Sequence, residues 1–394
     1  MKILYLQTFP LYGSGSGTYA RELAREVAKK HEVAMVVPDN REIPGVKMYE
    51  VNLSVKISFT GHPEWPDSKL YTKVEGNDLS SNYLSYFQEI VKAINDFKPD
   101  ILHVHHLMPL TWIARFIKIA YKLNFIVTVH GSELPTLEND KRYPFLTAEA
   151  LRKAVRIIPN SFWTKDWMED VLGIEFRDKI RVIPGGVDIA KFKKVATGDI
   201  DQKYNLKGKK VVVFAGKLTQ YKGVRYLIRA AKRIDGEILI LGDGPERKNL
   251  EKIVLDENIK NVRFLGHLKD DTQFLVKFYS RADVFVAPSV WDEPLGLVIL
   301  EAMACEAPVV VTRKGGIPLA VKDGKNGLFI RPRNVNDIVE KVNYLLQNDE
   351  KRLKMGQKAR EIAVEKFSWK IIAQKFIDKY EKFARYPRNN FPLS

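Results

Sequence analysis

Short apolar runs recur along this chain, each followed by a turn and a stretch with helical spacing. That alternation restricts the fold to open parallel sheets covered by helices on both faces. Expected strands in the first half are Ile3–Gln7, Glu32–Val37, Ile101–His105, Phe125–Val129, Arg156–Pro159 and Lys179–Ile183. In the second half they are Lys210–Ala215, Glu237–Leu241, Val262–Leu265, Asp283–Ala287 and Pro308–Thr312. Helices are expected over 18–30, 82–97, 110–122, 145–153, 223–233, 246–256, 272–280, 296–304, 335–347 and 350–365. A chain of 394 residues exceeds what one core holds, so two domains are expected. The strand that restarts at Lys210 after the polar stretch Thr197-Gly198-Asp199 places the boundary near residue 190. The fold class is therefore α/β, with two doubly wound, Rossmann-like sheets over 1–190 and 191–367. Ser368 is placed to cap an amphipathic helix running to about Ala384.

Composition removes several function classes. Met1-Lys2-Ile3-Leu4 reads straight into a strand, and no stretch is apolar enough to span a bilayer. Cys305 is the one cysteine, which leaves no disulfide framework and no zinc cluster. The cytoplasm is the expected compartment. A net charge of +16 could serve nucleic acid, a membrane surface or anionic substrates. The charges are mostly Lys interleaved with Glu, which suits a dispersed, thermophile-like surface. A peripheral contact with the anionic inner membrane surface ranks second, and nucleic acid is not an expected partner.

The segment from Trp291 to Ala304 carries the strongest chemical signal. It follows a buried strand and holds Glu293 and Glu301 in otherwise apolar sequence. Pro294 suits the first turn of a helix. On one helix the two carboxylates would stand about 12 Å apart along the axis. The amides around Leu295 to Val298, including Gly296 and Leu297, would then form a seat for a diphosphate. One carboxylate could take sugar hydroxyls and the other ribose hydroxyls.

Other strand ends carry candidates of the same kind. Gly216, Lys217, Lys222 and Gly223 follow Val211–Ala215 and offer two cations to an anion. Gly242-Asp243-Gly244 ends the next strand and shapes a pocket through close backbone approach. His130 ends Phe125–Val129, where ligands of open α/β sheets bind, and His105 is read as a second lining residue. The loop holding Gly13, Gly15 and Gly17 fits a relaxed dinucleotide fingerprint, with Asp39 ending the following strand. Thr8 to Tyr12 separate it from its strand, however, which is looser than the dinucleotide turn and better suits a mobile flap over a ligand. Asp199-Ile200-Asp201 has metal-site spacing but no strand before it, and no metal is expected. The irregular aromatic segment Ser58 to Tyr71 reads either as a sugar-binding loop or as a structural lobe.

With these motifs in place the chain resembles the retaining nucleotide-sugar glycosyltransferases of family 4, which have the GT-B fold. Glu293 and Glu301 match the family's signature pair, and the continuations Ala307 to Val321 and Asp323 to Phe329 match as well. The resemblance implies two Rossmann-like domains facing one cleft, with the last helix, about 368–394, crossing back onto the first domain. It implies that Gly15 and Gly17 lie beside the donor phosphates and that His130 lies near the donor sugar. Gly266-His267-Leu268 resembles the family's base-contacting turn. Lys217 stands where the family usually has Arg, which keeps the charge and loses the planar fork. Glu306 stands where the family commonly has Gly. The implied activity is transfer of a hexose from a nucleoside-diphosphate sugar, with UDP ahead of other bases, to an acceptor hydroxyl with retention and without metal or other cofactor. Glu293, His130, Lys217 and Lys222 are the expected catalytic residues. Gly15, Gly17, Gly216, Gly242, His267, Leu268, Gly296, Leu297 and Glu301 are expected to bind the donor. The acceptor, whether sugar, glycan or lipid-linked, stays open. Alternatives are a nucleotide-sugar hydrolysing epimerase, a nicotinamide dehydrogenase using the first Gly loop, and a non-catalytic binding module.

Overall fold

A computed structural model describes residues 1–266 and 272–384. The chain divides into two compact units, crossing from the first to the second at Pro184–Gly185 and returning at Ser368–Trp369. The first unit contains β1 (Lys2–Leu6), β2 (Glu32–Val37), β3 (Val46–Glu50), a small pair β4 (Ile57–Ser58) and β5 (Lys69–Leu70), then β6 (Ile101–His105), β7 (Phe125–Val129) and β8 (Arg156–Pro159). Its main sheet is six-stranded and parallel, in the order β3-β2-β1-β6-β7-β8. The second unit contains β9 (Val211–Ala215), β10 (Glu237–Leu241), β11 (Val262–Gly266), β12 (Val284–Ala287), β13 (Val309–Thr312) and β14 (Gly327–Ile330), in the order β11-β10-β9-β12-β13-β14. Both orders reverse direction once, between β1 and β6 and between β9 and β12. Ligands of such sheets bind outside the strand carboxyl ends at that switch point.

The central strands are apolar throughout because helices cover both faces: Val211–Ala215 and Phe125–Val129 are buried at every position. The edge strands β3 and β14 were not expected from the sequence. Val46–Glu50 is half polar, as an edge with one solvated face allows. Lys179–Ile183, expected as a strand, is instead a 3-10 turn over Arg177–Lys179. Beyond it the amides of Arg181 and Ile183 bond to the carbonyls of Ile157 and Pro159 at 3.0 and 3.1 Å, and no ladder forms before Pro184. The aromatic segment from Ser58 to Tyr71 is a structural lobe. Phe59, Trp65 and Tyr71 are buried in the first unit's core, with Phe9 packed between Phe59 and Trp65 at 5.1 and 6.1 Å.

The helix Trp369–Phe383 belongs to the first unit. Trp369, Ile372, Ala373, Phe376, Ile377 and Tyr380 recur at helical spacing and pack with Ile3, Tyr5, Tyr19 and Leu23. Tyr380 adds a polar tie, its hydroxyl lying 2.7 Å from both the Tyr5 hydroxyl and His103 Nδ1. Cys305 is buried in the second unit, and burial pushes its thiol up to about 12. Among the described residues no helix is long and apolar enough to cross a membrane.

Glu306 ends the helix Leu297–Ala304 at φ 63°, a left-handed conformation that glycine adopts without strain. The Ala307 amide reaches back to the Ala302 carbonyl at 3.0 Å, and the Glu306 carbonyl lies where a Cβ on Gly356 would come within 2.2 Å of it. The turn is thus fixed by packing whatever residue occupies it. Replacing the side chain removes about 1–2 kcal/mol of left-handed strain and adds back up to about 1 kcal/mol of glycine entropy. Glu306→Gly should therefore stabilise the protein by up to about 1 kcal/mol in denaturant unfolding. A loss of stability would show that the side chain, 3.9 Å from Lys194, contributes more than its strain.

Candidate active site

In the second unit the switch point lies between the loop Gly216–Gly223 after β9 and the loop from Pro288 to Gly296 after β12. These loops touch backbone to backbone. Gly223 has φ 67°, and a Cβ there would lie 2.0 Å from the Pro288 carbonyl oxygen. The Val290 amide donates to the Tyr221 carbonyl at 2.8 Å, and the Thr312 hydroxyl to the Ser289 carbonyl at 2.7 Å. This contact delivers the Lys222 ammonium to Glu293 Oε1 at 2.5 Å, where the Ser289 hydroxyl also donates at 2.8 Å. A second clasp holds Glu293 from behind. The Gly316 amide donates to its carbonyl at 2.7 Å, while Asp292 takes the Lys314 ammonium and the Gly315 amide, both at 2.9 Å.

Glu293 and Glu301 do not share a helix. The helix begins only at Leu297, because Gly296 takes φ 77°, ψ 69° and closes the preceding loop. Pro294 therefore lies in the loop, and the expected axial separation of the two carboxylates does not apply. What survives is the helix start itself: no side chain caps it, and the first-turn amides of Leu297 and Val298 belong to its positive end. Glu301 sits in the second turn, half-buried, its Oε2 3.0 Å from the buried Tyr279 hydroxyl. Lys217 is exposed and forms no ion pair among the described residues.

Gly216 and Gly242 serve close packing. A Cβ on Gly242 would lie 1.9 Å from the Gly216 carbonyl oxygen, and one on Gly244 2.4 Å from that of Leu218. The loops after β9 and β10 are thereby locked together, with the Gly242 amide donating to Gly266 at 2.7 Å. His267 and Leu268 lie outside the described residues. Asp199 and Asp201 stand in the helix Gly198–Lys203, each on a cation: Lys277 Nζ at 2.5 Å and Arg281 Nε at 2.5 Å.

In the first unit the Gly-rich loop is pinned, which does not fit a mobile flap. The Leu11 amide donates to Asp39 at 2.8 Å, and the Tyr12 ring lies against the guanidiniums of Arg21 and Arg41 at 4.3 and 4.1 Å. Asp39 is also paired with Arg41 at 2.6 Å, so its carboxylate is committed to the loop and not to a cofactor ribose. Gly17 is required by the loop itself, since a Cβ would lie 2.5 Å from the Pro10 carbonyl. Gly15 is exposed, with open space around it.

His130 is buried at the end of β7. Its Nε2 lies 3.0 Å from His105 Nδ1, and its backbone amide donates to Glu133 Oε1 at 3.1 Å. Glu133 Oε2 faces His106 Nδ1 at 3.3 Å. His103 bridges Thr128 and Tyr380 at 2.8 and 2.7 Å. Burial holds His103 down at about 3; burial and the neighbouring imidazoles hold His105 and His130 well below the ordinary range. Burial pushes the Glu133 carboxyl up, but His106 and the His130 amide more than offset it and leave it depressed. Sequence reasoning gave no role to Glu133, Ser289 or Tyr279. A charge in the run from His130 to Glu133 was the available signal for the first; the other two are ordinary residue types whose roles come from contacts distant in sequence.

Two domain-sized family models match the chain. "Glycosyl transferases group 1" covers residues 197–362 and "Glycosyltransferase Family 4" covers 13–191. An uncharacterized glycosyltransferase of Methanocaldococcus jannaschii is 30% identical over 77% of this chain and 84% of its own length. Sucrose-phosphate synthase from Thermosynechococcus elongatus superposes with a TM-score of 0.79 at 21% identity, covering 97% of this chain and 98% of that one. Anabaena HepE, solved in complex with UDP-glucose, superposes at 0.75 with 19% identity, covering 97% and 100%. The fold is that of the GT-B glycosyltransferases. The chain belongs to glycosyltransferase family 4 and is an enzyme of that class.

Two outcomes follow from this geometry. Gly223→Ala must separate the two loops of the second unit, carrying Lys222 away from Glu293. It should lower both the melting temperature and transferase turnover, the latter at least about tenfold if even one charge-assisted contact is lost; an unaltered variant would show that the contact does not position the lysine. His103, His105 and His130 bind fewer protons folded than unfolded once pH drops below their ordinary value of 6.5. Their stabilisation is complete above that value and shrinks as pH falls, by about 1.4 kcal/mol per unit for each. Glu133, depressed when folded, loses its contribution only below its ordinary 4.5. Unfolding midpoints should therefore fall steeply from pH 6.5 toward 4.5, and a level profile there would mean that the imidazoles charge without cost.

Proposed function

We propose that this glycosyltransferase moves a hexose from a nucleoside-diphosphate hexose, with UDP as the nucleotide, to the hydroxyl of a sugar, glycan or lipid-linked acceptor, with retention at the anomeric carbon. The observation that carries this reading is the meeting of Lys222, Glu293 and an uncapped helix start at one switch point. A cation and oriented amides suit a diphosphate, and a carboxylate beside them suits sugar hydroxyls. The complex of HepE with UDP-glucose supports a uridine donor.

Charge grows on the diphosphate as its bond to the sugar breaks. Lys222, Lys217 and the amides of Leu297 and Val298 would stabilise that charge more in the transition state than in the bound donor. They would do so without a metal. Glu301, oriented by Tyr279, would take ribose hydroxyls, and Glu293 and His130 would orient the hexose. Retention follows most simply on one face of the sugar. The acceptor oxygen bonds the anomeric carbon as the phosphate leaves, and the departing phosphate oxygen takes the acceptor's proton. The commitment of Asp39 to Arg41 and Leu11 weighs against a nicotinamide enzyme.

A thermal-shift series with UDP, GDP, ADP and their hexose conjugates should show stabilisation by the uridine set. Lys222→Ala should then cut turnover at saturating donor by roughly 100-fold, with a smaller change in donor affinity, and wild-type turnover should survive exhaustive chelation. Wild-type turnover by the folded variant would reduce Lys222 to a surface charge, and activity restored only by added magnesium or manganese would remove the metal-free account. Release of free UDP without any acceptor would indicate the hydrolysing epimerase instead.

A further inference from the structure

His105 and His130 share one hydrogen bond, and its direction fixes what His130 can do. Each imidazole is held neutral by its burial, so each carries one proton. If His130 donated from Nε2, His105 would accept at Nδ1 and would have to carry its own proton on Nε2. That nitrogen is buried and has no partner among the described residues. Its ring is walled in by Tyr5 at 5.6 Å, Tyr19 at 6.1 Å and His103 at 4.4 Å between ring centres, and no acceptor reaches it. A buried N–H without an acceptor is the rarest of polar defects, rarer than a bare lone pair. The adjacent ring behaves the same way. His106 turns Nδ1 to the Glu133 carboxylate, which requires a proton there, and its buried Nε2 is likewise unpartnered.

We infer that His105 is a positioning residue: its Nδ1–H donates to His130 Nε2 and holds His130 in the tautomer protonated on Nδ1. His130 then meets its ligand only as a hydrogen-bond donor. Its one lone pair is occupied by His105, so it has none left to take a proton from the acceptor hydroxyl. This rests on the sugar-orienting role proposed for His130 and sharpens it, because the donor sugar must present a hydroxyl oxygen as acceptor there. The groups facing the pair from other elements are consistent with this. Tyr19 meets His130 edge-on at 5.1 Å, His106 lies 4.6 Å away and tilted, and Glu133 spends its Oε1 on the His130 backbone amide.

Nitrogen NMR of the protein with labelled histidines, free of any nucleotide, reads the tautomer directly, because protonated and bare ring nitrogens resonate far apart. His130 should show a proton on Nδ1 and a bare Nε2. A proton on Nε2 overturns the inference. A pair of variants then tests the cause. His105→Asn places an amide N–H at the δ position and should keep turnover within about threefold of wild type. His105→Leu should lower kcat about tenfold or more, with nucleotide affinity held, since one hydrogen bond to the reacting sugar is misdirected. Equal turnover by a folded His105→Leu variant removes His105 from the role. If the wild type transfers no hexose from any nucleotide donor, the functional reading fails, while the NMR result still decides the tautomer.

Discussion

The second unit depends on carbonyl oxygens standing where side chains would otherwise be. Gly223 against Pro288, Gly242 against Gly216, Gly244 against Leu218 and Gly315 against Glu293 are all approaches of 2.4 Å or less for a hypothetical Cβ. Each lies at a strand carboxyl end, and together they weld four loops into one platform. A flexible lysine on such a platform loses little further freedom when it meets its carboxylate, because its backbone is already fixed. The ion pair between Lys222 and Glu293, with side chains 29% and 14% exposed, thus rests on backbone geometry as well as on charge attraction.

The first unit solves a different problem. It buries four imidazoles, several tyrosines and a carboxylate at the strand ends, and almost every one is matched to another member of the group. The result is a rigid polar core in which His103, His105 and His130 are held neutral by burial beside the Glu133 carboxylate. Tyr380 brings the last helix into that network, so residues far apart in sequence settle the surroundings of His103 together. A buried network of this kind specifies one arrangement, since any shift leaves polar atoms unpaired.

Much of this was legible in the sequence. The central strands, most of the longer helices and the switch-point residues follow from apolar periodicity and from Gly next to charge, whereas the helices Leu134–Asn139 and Phe162–Leu172 were not expected. The edge strand β3 was missed because one solvated face breaks its apolar run, and β14 because its apolar run is only four residues long and opens on a glycine. Lys179–Ile183 misled for the opposite reason: it is apolar enough for a strand, but a turn precedes it and Pro184 follows. Placing Glu293 on the helix failed because Pro294 suits a first turn, while Gly296, two residues later, takes a conformation that begins the helix afresh. Gly15 and Gly17 look equivalent in sequence; only the position of the Pro10 carbonyl separates the required glycine from the permissive one.

That last difference has a practical side. Gly15 opens the helix Gly15–Val27 in free space, next to a loop that is itself held still. The chain's one cysteine, Cys305, is sealed in the second unit with its thiol kept protonated. A thiol introduced at position 15 would therefore be the only reactive one, and a dye attached there would report on the loop from a fixed vantage, with no native cysteine to remove first.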